Sequence, residues 1–326
     1  MQIESATISV KGKRVSVPSV NIDGSTIIVT GKWLKVAMVQ DEEWLAEEPV
    51  NDPKSFIANL KQLPLKADLF TFSQRLGETR SQSDAFHFEP DNAAAIPITT
   101  FDQWWESLPQ VTRKNVRRAG RRGVTVKVAP FNDELVQGIT QLYNETPIRQ
   151  GRRFWHYGKD FDTVKRDNSS YLDRSDFVVA YHNNEIIGFI KLVYVGKVAR
   201  MMQILSMNKH FDKRPPNALI AKAVEVAHQK GCSHLVYGKY VYGNKASSPV
   251  TEFKRRNGFE QLPIPVYYIP LTLKGRIALA LKLHLGIRKM IPEKLMTFLL
   301  NTRSKLYDRF FSKQNSAAKE ALGEAL

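Results

Sequence analysis

The stretch "DFVVAYHNNEIIGFIKLVYVGKVARMMQILSM", residues 176–207, decides the fold of this chain. It reads as three apolar runs rich in β-branched residues, broken by "HNN" at 182–184 and "GK" at 196–197. Breaks of two or three residues close hairpins and are too short for a crossover, so the runs form an antiparallel meander. Next comes "PPNALIAKAVEVAHQKG", residues 215–231, a helix with prolines at its start and Gly231 past its end. "SHLVYGKY", residues 233–240, is then a strand. Strand, helix and strand in that order give a parallel pair with a crossover, so the chain is α/β with a mixed sheet whose meander runs into one parallel βαβ unit.

Working outward toward the C-terminus, "SSPVTEFKRRNGF" (247–259) reads as a helix capped by Ser248, with Pro249 in its first turn and Gly258 at its stop. "IPVYYIPL" (264–271) is a last strand that closes the sheet. Toward the N-terminus, "NDELVQGITQLYNET" (132–146) is a helix capped by Asn132 or Asp133, and "VTVKVAP" (124–130) is a strand. Before them "FDQWWESL" and Pro109 lead into "TRKNVRRAGRRG" (112–123), the most basic stretch of the chain. As a helix it aligns Arg113, Arg117 and Arg121 in one row, with Lys114, Arg118 and Arg122 in the row beside it. Like charges at that spacing repel, so this face is either well solvated or matched by an anion. From Ile3 to Val39 the pattern alternates between turn signals, a helix spans Pro53 to Leu63, and "ADLFTFSQ" and "DAFHFEP" are further strands.

A chain of 326 residues with 43% hydrophobic and 25% charged residues is long and apolar enough to bury a full core. The expected organisation is a β-rich N-terminal half over 1–97, an α/β domain over 98–272, basic amphipathic helices over 273–312 split by Pro292, and a flexible tail over 313–326. A formal net charge of +16 favours anionic partners without choosing among nucleic acid, phosphate-bearing small molecules and an acidic membrane face. The single cysteine, Cys232, excludes an internal disulfide and reads as a buried thiol in a reducing compartment. With no apolar leader and no run long enough to span a bilayer, a cytoplasmic protein is expected, peripheral on the inner membrane face if its basic helices lie in an anionic interface. No P-loop, G-x-G-x-x-G or H-E-x-x-H string occurs and the 7 histidines show no ligand spacing, so no metal is expected.

The order of elements, with a short helix ending in "FKRRNGF" just before the final strand, resembles the GNAT superfamily of acyltransferases. The cationic stretch followed by "GVTVKV" is similar to the Fem-type and polysaccharide-cluster members of the acyl-CoA N-acyltransferase-like group, which carry such a helix at the start of a second GNAT-like half. The likeness covers 98–272, while the first third loosely suggests a degenerate first half. It implies that strand "VARMMQILSM", with Gln203, offers amides to an acyl carbonyl. It also implies that the loop into the following helix, with Lys213, Arg214 and Asn217, holds a donor's phosphates. Acyl-CoA is the implied co-substrate, with aminoacyl-tRNA, as in the Fem-type enzymes, left open. Pro215 and Pro216 stand where that loop would donate N–H groups, which reduces backbone cradling. Arg117 and Arg121 of the basic helix are candidate donor contacts, facing phosphate rather than reading bases.

The densest mixture of chemistry is "YNETPIRQGRRFWHYGKDF", residues 143–161. It is read as a substrate-binding loop using Arg149, Gln150, Arg152, Arg153, Tyr157 and Lys159, with Glu145 or His156 as base for an acceptor amine. Tyr240 and Tyr242, in "YGKYVYGNK", stand in for the general-acid tyrosine that many superfamily members place in the helix before "GF"; here that helix has Phe253, Lys254 and Arg255. The expected activity is N-acyl or aminoacyl transfer from an anionic donor to an amine of a cell-envelope or polysaccharide precursor such as an amino sugar. The competing reading is a noncatalytic GNAT-like module that binds RNA or anionic membrane through its basic faces. In the enzyme reading nucleic acid enters only as a tRNA-linked donor or without sequence preference.

Overall fold

A computed structural model describes residues 3–10, 13–40, 50, 52–63, 65–74, 76, 86–149, 151–242 and 248–285. Gln150, residues 286–312 of the basic segment and the tail 313–326 lie outside the described residues. In chain order the elements begin with β1 (Glu4–Val10), β2 (Lys13–Ile22), β3 (Ser25–Thr30), β4 (Val36–Val39), α1 (Pro53–Gln62), β5 (Leu69–Ser73) and β6 (His87–Pro97). There follow α2 (Phe101–Ser107), α3 (Gln110–Arg121), β7 (Thr125–Ala129), α4 (Asp133–Asn144), the short hairpin β8 (Ile148–Arg149) and β9 (Arg152–Arg153), and α5 (Phe161–Asn168). The chain continues through β10 (Ser175–His182), β11 (Glu185–Val195), β12 (Val198–Ser206), α6 (Pro215–Gln229), β13 (His234–Val236), α7 (Pro249–Arg256), β14 (Glu260–Pro270) and α8 (Leu273–Ala280).

One sheet takes the order β1-β2-β3-β4-β5-β14-β6-β13-β12-β11-β10-β7. Its two ends repeat a plan. At one end a meander of β1 to β4 leads through α1 to β5, which runs parallel to β4. At the other, β7 and the meander β10 to β12 lead through α6 to β13, which runs parallel to β12. The last strand of each plan crosses over: β6 pairs with β13, β14 pairs with β5, and β6 and β14 pair with each other at the centre.

The meander of 176–207 forms as its breaks require, with Asn183 and Asn184 at φ of 49° and 63° in the first turn. It is buried on both faces, which is why its runs are nearly continuous in apolar residues. Val178 and Ala180 join a core with α2, α3 and α6, while Phe177 and Val179 join a second core with α4. The strand read as 233–240 ends at Val236, so Tyr240 and Tyr242 lie in irregular chain. Helix α5, after the loop, has no counterpart in the sequence reading; it starts at Asp160, whose carboxylate accepts from the Thr163 amide.

Helix α7 ends where the chain turns on Gly258 at φ +82°, and a Cβ placed there would lie 2.7 Å from Trp104 Nε1. Gly258→Ala is therefore expected to cost about 2–4 kcal/mol, from the left-handed backbone and the overpacked contact together, as read by urea unfolding.

Candidate functional site

The β12–β13 pairing stops at Arg200 and Val236, whereas β12 continues beside β11 to Ser206. Beyond Arg200 the parallel pair opens, and the edge of β12 that faces away from β11 is left without a strand partner among the described residues. Met202 is the extra residue of a bulge there, between the pairs Lys191–Gln203 and Leu192–Met201. A cavity of about 910 Å³ occupies this opening at the carboxyl end of the pair. Ile204 to Ser206 of β12, Tyr237, and Val250 and Phe253 of α7 line it together with Arg149 and the stretch Arg152–His156.

The loop is fastened from behind. Glu145, read as a base, is a clamp instead. Its Oε2 accepts from Arg149 at 2.8 Å and from the Asn208 amide at 2.8 Å, and its Oε1 accepts from the Lys209 amide at 3.0 Å. Arg149 in turn donates to the carbonyls of Ser206 and Leu142 and packs 4.9 Å from the Phe154 ring. With both oxygens of Glu145 occupied and its side chain only 14% exposed, it holds α4, the loop and the segment after β12 together. Among the described residues no carboxylate lines the cavity.

His156 lines the cavity with its ring 4.3 Å from that of Tyr143. Lys159 donates to Asp167 at 2.6 Å and lies 3.2 Å from His156 Nδ1. An ammonium has only donors, so Nδ1 accepts and the ring proton sits on Nε2. Burial, with the Lys159 charge beside it, pushes the imidazole down to about 4, so it stays neutral at physiological pH. His156 is thus a fixed N–H donor rather than a ready base. The depressed value also has a stability sign. The folded state resists protonation, the unfolded histidine protonates near 6.5, and stability is lost as pH falls from there through about 4. Wild type should lose about 2–3 kcal/mol more than His156→Gln between pH 7 and 4.5 in urea titrations.

Two lysines that the sequence reading passed over are buried. Lys254 donates to the carbonyls of Tyr237 at 2.8 Å and Lys239 at 2.5 Å, and its Nζ sits 4.3 Å from the Tyr237 ring and 4.8 Å from the Tyr242 ring. Burial pulls it down to about 8. Tyr237 itself is pushed up to about 12, by burial and then by Tyr242, so its phenol keeps its proton beside the cavity. Lys191, opposite Gln203, donates to the Asn168 and Ser170 carbonyls and ties β11 to the end of α5. A signal for Lys254 was legible: Val250, Phe253, Lys254 and Asn257 fall on one face of α7, and a lysine there points inward.

The other predicted residues divide. Arg149, Arg152 and Arg153 line the cavity, while Tyr157 is exposed outside it and Lys159 supports His156 from behind. Tyr240 and Tyr242 do not line it; Tyr237 occupies that place. Gln203 accepts from the Tyr143 hydroxyl at 2.7 Å, and Asn217 donates to the side chain of Asn257 at 2.9 Å, tying α6 to α7. Both therefore act as struts. Arg214 is exposed at φ +60° before Pro215 and Pro216, and Lys213 lies 3.5 Å from Asp212. The first two positions of α6 thus offer no N–H to a phosphate.

Helix α3 lies on α6, tied to the end of α7 by Thr112 donating to the Arg256 carbonyl and to the segment before α6 by Arg122 pairing with Asp212. Arg117 and Arg121 are exposed and do not line the cavity, Arg117 stacking 5.5 Å from the Trp105 ring.

No family model matches the sequence, and no curated protein matches it. Solved structures do. The chain is similar to FemX, at 12% identity and a TM-score of 0.56 over 85% of this chain and 90% of that one. It is also similar to the C-terminal domain of a putative lysylphosphatidylglycerol synthetase from Agrobacterium fabrum, at 14% identity and a TM-score of 0.52 over 78% and 84%. A conserved protein of unknown function from Bacteroides thetaiotaomicron matches at 9% identity and a TM-score of 0.52 over 78% and 86%. At these identities the likeness establishes the fold alone, the mixed sheet with two repeated ends described above.

Proposed function

We propose that the chain is an aminoacyltransferase that moves an aminoacyl group from an aminoacyl-tRNA to an amine of an anionic cell-envelope precursor, such as an amino sugar. The observation that carries this reading is the cavity at the open end of β12 and β13, which joins a cationic loop to Tyr237 and Phe253, with the buried ammonium of Lys254 behind them. In the reaction the amine attacks the ester carbonyl, a C–N bond forms, the acyl C–O bond to the ribose oxygen breaks, and the proton lost by the attacking nitrogen ends on the leaving ribose oxygen. With no carboxylate on the cavity wall among the described residues, the amine enters as the free base. The protein's part is then to stabilise the oxyanion, through the unpartnered edge of β12, the Nε2–H of His156, the Tyr237 phenol and the Lys254 charge.

The donor assignment rests on Pro215 and Pro216, which remove the amides that a pyrophosphate would use, and on the exposed cations of α3, the helix packed on α6, which suit a longer phosphate backbone. A lipid-linked acceptor suits the exposed Leu273, Ile277 and Leu281 of the α8 region, which lie among Lys274, Arg276 and Lys282, although no helix among the described residues is long and apolar enough to cross a membrane. The likeness of fold to FemX and to the lysylphosphatidylglycerol synthetase domain supports this reading. Binding tests it: aminoacyl-tRNA should bind with an affinity that falls as salt rises, and Arg117→Glu/Arg121→Glu should weaken it by a factor that shrinks at high salt, whereas coenzyme A should give no thermal shift. Saturable coenzyme A binding with no response to tRNA would defeat the donor assignment.

A further inference from the structure

The histidines have no ligand spacing in the sequence, yet the fold brings two of them to one carboxylate. His87 and Glu89 stand on the same side of β6, two residues apart, and His284 arrives in the short turn Leu283–Leu285 after α8, 195 positions beyond Glu89. Glu89 Oε1 lies 3.0 Å from His284 Nε2 and 3.5 Å from His87 Nε2, and the ligand atoms of the trio all fall within 4.8 Å of one another.

We propose that His87, Glu89 and His284 form a divalent transition-metal site, with zinc as the best-suited ion and water as the remaining ligand. Tetrahedral zinc with bonds of about 2.0–2.1 Å sets its ligand atoms about 3.3 Å apart, and the two distances to Glu89 bracket that spacing. Two imidazoles and a carboxylate are a borderline-soft set that selects zinc over calcium or magnesium. Both rings direct Nε2 at the same oxygen, and the His284 side chain is 1% exposed with its Nδ1 buried and without a hydrogen-bond partner among the described residues. A metal on Nε2 would fix the ring proton on that Nδ1. His87 is 46% exposed, which leaves the site open to an entering ion and to the water.

The His284 ring also sits 4.5 Å from Tyr268 of β14, the strand partner of His87, so the ion would lie over the seam where β6 and β14 join the two ends of the sheet. It would pin the chain that leaves α8 to that seam. The site is remote in role from the cavity: none of its three residues lines it.

The test is titration of the untagged full-length chain with zinc chloride by calorimetry and with cobalt(II) by visible absorption. One zinc per chain, a cobalt band of four-coordinate character and a zinc-dependent rise in Tm are expected. His87→Ala changes an exposed side chain and should fold normally while weakening zinc by at least about 100-fold; His284→Ala should do the same. Zinc binding that persists unchanged in His87→Ala, or no saturable binding by the wild type, would overturn the proposal and leave two imidazoles hydrogen-bonded to one carboxylate.

Discussion

Replacing Lys254 by methionine is expected to lower the aminoacyl-transfer rate by about two orders of magnitude, because the positive charge held behind Tyr237 is lost from the field that stabilises the oxyanion. The substitution keeps the length and apolar stem of the side chain while deleting its charge. Its structural cost is expected at about 2–4 kcal/mol, because the carbonyls of Tyr237 and Lys239 lose their buried donor. Rates are therefore compared at a temperature where unfolding curves show the variant folded. A charge that acts only in the transition state lowers kcat and leaves KM for both substrates near wild type. Burial brings Lys254 down to about 8, so wild-type activity should decline as pH rises past that value, and the variant should lack that limb. Equal activity in Lys254→Met and wild type would remove the lysine from the mechanism.

Glu145→Ala is expected to destabilise the protein by about 3–5 kcal/mol, the cost of stripping a buried ion pair of one partner. Arg149 and the Asn208 and Lys209 amides would lose their acceptor together, and the cavity loop would lose its anchor to the segment after β12. Chemical denaturation reads the cost directly. A catalytic base at this position would behave differently, with Glu145→Gln inactive but fully stable. The clamp predicts a destabilised Glu145→Gln whose folded fraction still turns over with an unchanged pH profile.

The contrast between these two residues shows what could be read from the sequence. The meander, the crossover and the caps at Asn132 and Ser248 were legible, because each follows from local spacing and turn chemistry. The central position of β6 was not: "DNAAAIP" is short of β-formers, and only its non-local pairing with β13 and β14 makes it a strand. Of the stretch 143–161 singled out for its chemistry, Arg149, Arg152, Arg153 and His156 line the cavity while Tyr157 and Lys159 do not. The roles within it were not legible, because sequence gives residue types and not partners: Glu145 looked like a base until two backbone amides and Arg149 filled its oxygens. Tyr240 and Tyr242 were chosen to replace the tyrosine missing from the following helix, but the strand ends at Val236 and Tyr237, the first residue past it, lines the cavity instead. The trio at His87, Glu89 and His284 lies beyond any spacing rule, since a three-dimensional path across nearly two hundred residues brings it together.

The most direct measurement incubates the purified protein with tRNA charged with a radiolabelled amino acid mixture and with nucleotide-linked or lipid-linked amino sugars, and follows label into products that survive mild alkali. Alkali cleaves the donor ester and spares an amide. The proposed function predicts alkali-stable label on an amine acceptor, dependent on Lys254 and on Arg153, with no transfer from acyl-CoA. Label that stays entirely on the tRNA with every amine acceptor, or acyl transfer that proceeds from acyl-CoA alone, would contradict it.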